Sequence, residues 1–403
     1  MYFNPKKIIP LFVIFLIGFQ IQSGYSQTAS DSMRLSFQLC KLRISLLTCD
    51  PGEDLYTTFG HSAIRVIDSA EGSDRVYNYG TFDFSDPTAF YVKFIKGGKD
   101  LKYFLSVDDF PDFMREYEYY QRSVREQELN LNCGEKTRLK LALLNNAMGE
   151  NKFYKYDFLF DNCSTRPFEI IAKNLDSPIH TLNVLPSPRT SFRDLIRYYL
   201  DQNKMYWSWL GIDILLGSRI DRPMTNPEAN FLPDYLEKGF DNSTIGNRNL
   251  VSKKSVLYAA PPLPETGASL ITPAVAFNLL LVIMVALNML NFSWTRKLSA
   301  IFDFLLFFAT GLVGSTILFM WLGTDHTVCR NNYNLLWAFP LHMVAAFLIP
   351  SRKKWMKKYW LFAMILALMV LLSWFLLPQR LNIALLPIVI LLAWRSWSIY
   401  KKA

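Results

Sequence analysis

The stretch Phe59-Gly60-His61-Ser62-Ala63-Ile64-Arg65-Val66 reads as a β-strand entered from a glycine, and Val76-Tyr77-Asn78-Tyr79-Gly80-Thr81-Phe82 reads as its partner. Between them Asp68-Ser69-Ala70-Glu71-Gly72-Ser73-Asp74 is rich in turn formers, so the two runs predict a β-hairpin. Leu42 to Leu47, closed by Asp50-Pro51-Gly52, supplies an earlier extended run, and Val124 to Leu131 a later one. Helical spacing covers Asp112 to Gln121 and Lys136 to Met148, the latter with Leu139, Leu143 and Leu144 on one face. A further helix starts near Cys163, and Ser191-Phe192-Arg193-Asp194 is a capping box with Asp in place of Glu, opening a helix to about Leu200. The expected fold class of this part is α+β, strands early and helices late.

Half of the 403 residues are hydrophobic, and they are most concentrated in the C-terminal third. After Pro261-Pro262-Leu263-Pro264 come five apolar segments, Leu270 to Asn291, Ala300 to Leu322, Leu335 to Pro350, Tyr359 to Leu377 and Leu381 to Trp397. Each is near the length of a membrane span, the third being the shortest and interrupted by Pro340 and His342. Arg296 and Lys297, then Arg352, Lys353, Lys354, Lys357 and Lys358, then Arg395, Lys401 and Lys402 fall in alternate gaps, whereas the intervening gaps hold only Arg330 and Arg380. That is the positive-inside pattern. The net charge of +9 therefore reports membrane topology and gives no reason to expect nucleic acid.

Lys6 and Lys7, an apolar run from Ile8 to Ile21 and small residues at Gly24 to Ser26 make a secretory signal peptide over residues 1–26. The expected order is then an exported domain over 27–260, a linker over 261–269 and a membrane domain of five spans over 270–403, with the C-terminus cytoplasmic. Export places Cys40, Cys49, Cys133 and Cys163 in an oxidising compartment. A Cys40–Cys49 pair is one possibility, and Cys163 is expected to be a free thiol.

Phe160-Asp161-Asn162-Cys163-Ser164-Thr165-Arg166 looks like a loop entering a helix. A cysteine there meets unpaired backbone N–H groups and the positive end of the helix dipole, which favour the reactive thiolate and can hold an oxyanion. The competing reading is a buried structural cysteine, against which stand the polar neighbours on both sides. A thiol nucleophile needs a base. Of the four histidines, His180 lies in a Pro-flanked loop, His342 in an apolar segment and His326 in a later loop, leaving His61 as the candidate. With the hairpin turning near Glu71, His61 stands opposite Thr81, and Tyr79, Thr81 and Asp83 share its face as candidates to orient the imidazole.

A strand-initial His upstream of a helix-initial Cys resembles the permuted papain-like fold of the NlpC-type superfamily. More closely, Cys49-Asp50-Pro51-Gly52 with Tyr56, the two hairpin runs through Asp83-Phe84, and Asp161-Asn162-Cys163-Ser164-Thr165-Arg166 are similar to the DUF4105 family, which includes the Lnb-type lipoprotein N-acyltransferases of Bacteroidota. The resemblance spans nearly the whole chain. It implies a periplasmic papain-like domain followed by a five-helix domain in the inner membrane. It also implies transfer of a fatty acyl chain from a phospholipid, through a Cys163 thioester with His61 as base, to the N-terminal amine of a diacylated lipoprotein, without a cofactor.

Arg166 matches a recurring family position, a candidate phosphate or carboxylate contact with Asn162 and Ser164 beside it. The loop Gly323 to Asn334 and the following Leu335-Leu336-Trp337 resemble the family's His…Asn-x-Asn-x-x-Trp stretch, which makes His326, Asn332, Asn334 and Trp337 candidate substrate contacts. Thr327 replaces a frequent proline, and Cys329 is an added thiol. The spacing of Asp325, His326 and Cys329 fits no common zinc motif, so no metal is expected. Tyr206, Trp207 and Trp209 head a short aromatic and apolar segment that suits either a lipid interface or a core. Two other readings remain. One is a membrane-anchored cysteine peptidase or amidase acting on cell wall, for which five spans are excessive. The other is a non-catalytic binding module, whose membrane part has sparse intramembrane charge to serve transport.

Overall fold

The computed structural model describes residues 40–82, 103–261, 271–290, 292–351 and 353–402. The expected signal peptide, Asp83 and most of the expected linker lie outside the described residues. The strands are β1 (Leu42–Cys49), β2 (His61–Asp68), β3 (Ser73–Thr81), β4 (Tyr103–Asp109), β5 (Val124–Leu129), β6 (Phe153–Tyr154), β7 (Ile179–Thr181), β8 (Ser243–Ile245), β9 (Arg248–Asn249) and β10 (Val251–Tyr258). The helices are α1 (Phe110–Tyr119), α2 (Cys133–Ala147), α3 (Thr165–Lys173), α4 (Phe192–Gln202), α5 (Tyr206–Leu215), α6 (Pro233–Asp241), α7 (Pro273–Leu290), α8 (Ser293–Leu322), α9 (Leu341–Phe347), α10 (Lys354–Ser373) and α11 (Leu386–Lys402).

An antiparallel sheet in the order β10-β5-β1-β2-β3-β4-β6 forms the centre of the N-terminal domain. Strand alternation sorts its side chains onto two covered faces. Ile44, Leu46, Ile64, Val66, Tyr77 and Tyr79 pack with Leu139 and Leu143 of α2 and Ile170 and Ile171 of α3. On the other face Leu47, Cys49, Ala63, Val76 and Val124 pack with Phe113, Met114 and Tyr117 of α1. With helices on both sides, β1 and β2 are buried almost throughout, the polar Ser45, Thr48, Ser62 and Arg65 included. Cys49 is fully buried in this second cluster, and Cys40 instead lies against Cys133, so the Cys40–Cys49 pairing is not what the fold brings together.

The capping box read at Ser191 is present, with Ser191 accepting from the Asp194 N–H and Asp194 accepting from the Ser191 N–H. Helices α4 and α5 then meet the membrane part through polar contacts. Arg193 and Asp213, each 1% exposed, form an ion pair, and Arg193 also pairs with Asp221. Asn382 donates to Asp213 at 2.9 Å, Gln379 to the Leu216 carbonyl at 2.9 Å, and Arg380 reaches Asp194, Asp221 and Ser191. From the loop after α8, the Asn332 side chain donates to the carbonyls of Ile214 and Leu215, and Asn334 to those of Asp213 and Ile214. Trp337 Nε1 donates to Asn334 Oδ1 at 2.8 Å. These side chains complete the C-terminal end of α5, whose last carbonyls have no partner within the helix.

Four helices are long and apolar enough to cross a membrane, Pro273–Leu290, Ser293–Leu322, Lys354–Ser373 and Ile383–Lys402. The third of the five expected segments is different: it forms a 3-10 turn at Tyr333–Leu336 and the short α9, with Pro340 between them. Pro340 contributes no N–H and disfavours helix at the residue before it. The segment also lies directly on α8, where a Cβ on Gly314 would fall 1.7 Å from the Ala338 carbonyl oxygen and one on Gly311 2.0 Å from the Met343 nitrogen. Asp303, the acidic residue in the expected spans, is paired with buried Arg395 of α11.

Replacing Asn334 by Ala strips partners from the α5 carbonyls and the Trp337 indole at once. The expected loss is about 2–4 kcal/mol, the cost of one or two buried polar groups left unpaired. It is measured as a lower melting temperature of the full chain in detergent, and an unchanged melting point would contradict the clamp.

Candidate active site

The β2–β3 ladder runs from Asp68–Ser73 to Ile64–Tyr77 and then stops. Beyond it β3 carries an irregularity between Asn78 and Thr81 and turns away at Gly80, whose φ is +92°. Cys163 occupies the resulting fork. A Cβ on Gly80 would sit in contact with the Cys163 Cβ at 3.4 Å, and the left-handed backbone there is one that L side chains rarely adopt, so glycine is what lets β3 turn away beside the cysteine. The Ser62 and Ser164 hydroxyls, one residue beyond His61 and one beyond Cys163, are 3.0 Å apart.

Asn162 holds the turn that presents Cys163. Its Oδ1 accepts from the N–H groups of Ser164 and Thr165 at 2.8 and 2.9 Å, and its Nδ2 donates to the carbonyls of Phe158 and Phe231. Two of the helix N–H groups expected to serve an oxyanion are therefore already used. The Ser62 N–H and the N–H of Cys163 itself act on the sulfur instead. Burial outweighs them and pushes the Cys163 thiol up from its usual range, opposed by Ser62, Ser164 and the charge of Arg122. The lowering of the thiol pKa expected at a helix start is reversed here because the recess removes more hydration than these dipoles replace.

The hairpin register is one residue from the expected one. Its loop is Ser69 to Gly72, and the row that starts at Ile64–Tyr77 carries His61 toward Gly80 and not Thr81. Since a one-residue slip exchanges the faces, Tyr79 leaves the His61 side and Asn78 joins it, while the irregularity between Asn78 and Thr81 keeps Thr81 on that side, 2.9 Å from Ser106. His61 Nε2 lies 3.3 Å from Asn78 Oδ1, while Asn78 Nδ2 donates to Asp108 at 2.6 Å. A carboxylate only accepts, so Asp108 fixes which way the amide points. Nε2 of His61 is then the donor to Asn78, leaving Nδ1 with the lone pair a base requires. Burial, then the Arg122 charge, lowers the His61 pKa to about 4 against the pull of Asn78. No hydrogen bond joins His61 to Cys163 in this state; both are neutral near pH 7.

The chain matches two family models, the Lnb N-terminal periplasmic domain over residues 29–201 and the Lnb transmembrane domain over residues 265–403. It belongs to the Lnb family. Comparison with curated proteins and with solved structures gives no match. Lnb membership suggests a lipoprotein-modifying enzyme with a periplasmic domain and a multi-pass membrane domain.

The other expected site residues of this Lnb-family chain divide clearly. Tyr79 faces α2 and accepts from Asn146 at 2.9 Å, away from His61. Thr81 bonds Ser106, which in turn donates to Asp108. Arg166 grips Asp161 with two nitrogens and stacks on Tyr154, so a substrate anion would have to compete for it. Ser164 and Asn162 are buried in the turn. Asn332, Asn334 and Trp337 are buried in the interdomain clamp and are not open to a ligand. The His326 loop touches the N-terminal domain through Asp325 and Lys155, 2.8 Å apart, and through Thr327 and Arg219. Asn78 and Asp108 were missed; Gly72 in the left-handed region, closing the hairpin loop, was the signal that fixes the parity.

Two outcomes follow from this geometry. The rate of Cys163 alkylation by iodoacetamide climbs with pH past 9, the thiol's ordinary value, and a plateau below pH 8 would contradict a raised pKa. Asn78→Ala lowers turnover at Cys163 by roughly 10- to 100-fold through loss of the imidazole's orientation, within the range general-base catalysis contributes. Tyr79→Phe, removing only the Asn146 bond, changes turnover by less than about threefold on the same scale.

Proposed function

We propose that this protein is a lipoprotein N-acyltransferase. His61 takes the Cys163 proton as the sulfur attacks the carbonyl carbon of a phospholipid ester. The carbonyl π electrons move to oxygen, then return as the glycerol oxygen leaves and takes the proton from His61. Lysophospholipid departs. The N-terminal amine of a diacylated lipoprotein next attacks the thioester, loses a proton to His61, and expels the sulfur, which is reprotonated. Asn78 and Asp108 hold the imidazole, and Ser62 N–H with Cys163 N–H face the charged oxygen.

The observation that carries this reading is where the fork stands. Phe59 before His61 and Phe158 and Leu159 before Cys163 pack in one cluster with Leu195, Ile196, Trp209 and Ile212 of α4 and α5 and Val328 of the membrane part's loop. A thiol–imidazole pair tied to the outer ends of membrane helices suits substrates whose chains stay in the bilayer. Drawing such a chain into water costs ~0.8 kcal/mol per CH₂. The order of His strand before Cys helix fits the permuted papain-like arrangement. In this reading residues 1–26 are removed, 27–260 are periplasmic, 261–269 link, and 270–403 span the inner membrane. The third apolar segment, Leu335 to Pro350, completes the five crossings, broken at Pro340, and the C-terminus is cytoplasmic.

Incubating the purified protein with phospholipid alone gives an acyl adduct on the Cys163 peptide by mass spectrometry, absent in Cys163→Ala and strongly reduced in His61→Ala. Turnover without that adduct would sink the mechanism. Peptide release from purified cell wall would point to the peptidase reading instead.

A further inference from the structure

Among the described residues, four arginines are less than a tenth exposed: Arg65, Arg122, Arg193 and Arg395. Arg65 pairs with Asp74 and Glu126, Arg193 with Asp213 and Asp221, and Arg395 with Asp303. Arg122 has no ion pair among the described residues, and its Nη2 is buried without a hydrogen-bond partner. An unpaired charge removed from water is costly, so its retention calls for another use.

The backbone places it deliberately. Gln121, at φ +50°, turns the chain after α1, and the Arg122 N–H returns to the Tyr117 carbonyl at 2.9 Å. Its guanidinium lies over the Tyr117 ring at 4.9 Å, and Nε donates to the Asp50 carbonyl at 2.8 Å. Asp50 follows Cys49, which is the cross-strand partner of His61. Arg122 thus stands at the same end of the sheet as His61 and the Cys163 fork, anchored by Nε with Nη2 left over.

We infer that Arg122 is the cation of the reaction centre, supplying the positive charge against which negative charge develops at Cys163 and on the attacked acyl oxygen. This rests on the acyl-transfer reading for its substrate, while its effect on the thiol is independent of any substrate. The charge of Arg122 acts on both partners: it favours the Cys163 thiolate and disfavours His61 imidazolium. Removing it moves both titrations upward, whereas loss of packing alone lowers the rate without moving either. The other titratable and charged groups at this end are Glu116 and Tyr117 from α1, Cys49 from β1, Asp50, Asp54 and Tyr56 from the loop after it, Asp108 from β4, Arg125 from β5, and Tyr154 and Tyr156 beside Cys163. Arg125, the other cation among them, is held by Asp50, Asp234 and Glu237, which leaves Arg122 as the one without an ion pair among the described residues.

The test uses the full chain in detergent as Arg122→Met, which keeps an apolar stem on Tyr117, Arg122→Gln, and Arg122→Lys. Alkylation of Cys163 is followed from pH 6 to 10, and thioester formation from phospholipid from pH 3 to 8. In Met and Gln variants, alkylation at pH 8 falls about tenfold, equivalent to one pKa unit, and the acid limb of thioester formation rises from near 4 toward 6.5. Lysine restores both limbs. Unmoved limbs in a folded neutral variant, or a lysine variant no different from methionine, overturn the assignment. An alkylation shift with no thioester in any form, wild type included, keeps Arg122 as the cation at the thiol and removes the phospholipid reading instead.

Discussion

The site depends on two strands parting. Antiparallel strands normally remain hydrogen bonded to their ends, because an unpaired buried N–H is costly. Here β3 bends off at the left-handed Gly80, and the end of β2 is exposed to the N-terminus of α3. The Ser62 N–H, freed from a neighbour strand on that side, serves the sulfur. One backbone irregularity thus opens space for Cys163, supplies a donor to it, and leaves His61 and Asn78 on the adjoining α1 face. The thiol reaches the imidazole's neighbourhood through the gap in the sheet.

A second level of organisation holds this centre against the membrane part. Asn332, Asn334, Gln379 and Asn382 donate to carbonyls and a carboxylate at the end of α5, and Arg193, Asp213 and Asp221 form an ionic layer beneath. Buried polar groups of this kind add little net stability over an apolar interface, but they punish every misaligned docking with unpaired donors. The result is orientation. In the acyl-transfer reading we propose, orientation of the Cys163 thiol relative to the membrane surface matters more than added affinity. It also explains why the Asn-x-Asn-x-x-Trp stretch is polar inside an otherwise apolar third of the chain.

Much of this was legible in the residues. Periodicity found β1, β2, β3, β5, α1, α2 and the capping box at Ser191, since each bears a local pattern that burial then satisfies. Cys163 and His61 stood out because few residue types can act as nucleophile and base. The partner of His61 did not, because strand register depends on one turn residue, and a slip of one position exchanges Asn78 for Tyr79. The protonation state of the thiol was likewise hidden, since it depends on how far the surrounding recess strips water from sulfur. The third apolar segment was already marked out by its length and by Pro340, but only packing showed that the glycine notch of α8 receives it as a short helix.

By itself the sequence determined the order of the parts, an α+β domain followed by apolar helices, and the family, because both rest on patterns within short windows. Only the tertiary structure decided that Asn78 and Asp108 orient His61, that Asn334 and Trp337 are buried joints between the two parts, and that Arg122 lies at the His61 end of the sheet with no ion pair among the described residues. Those facts concern residues far apart in the chain whose meeting is set by register, helix docking and the exclusion of water, none of which any local stretch encodes.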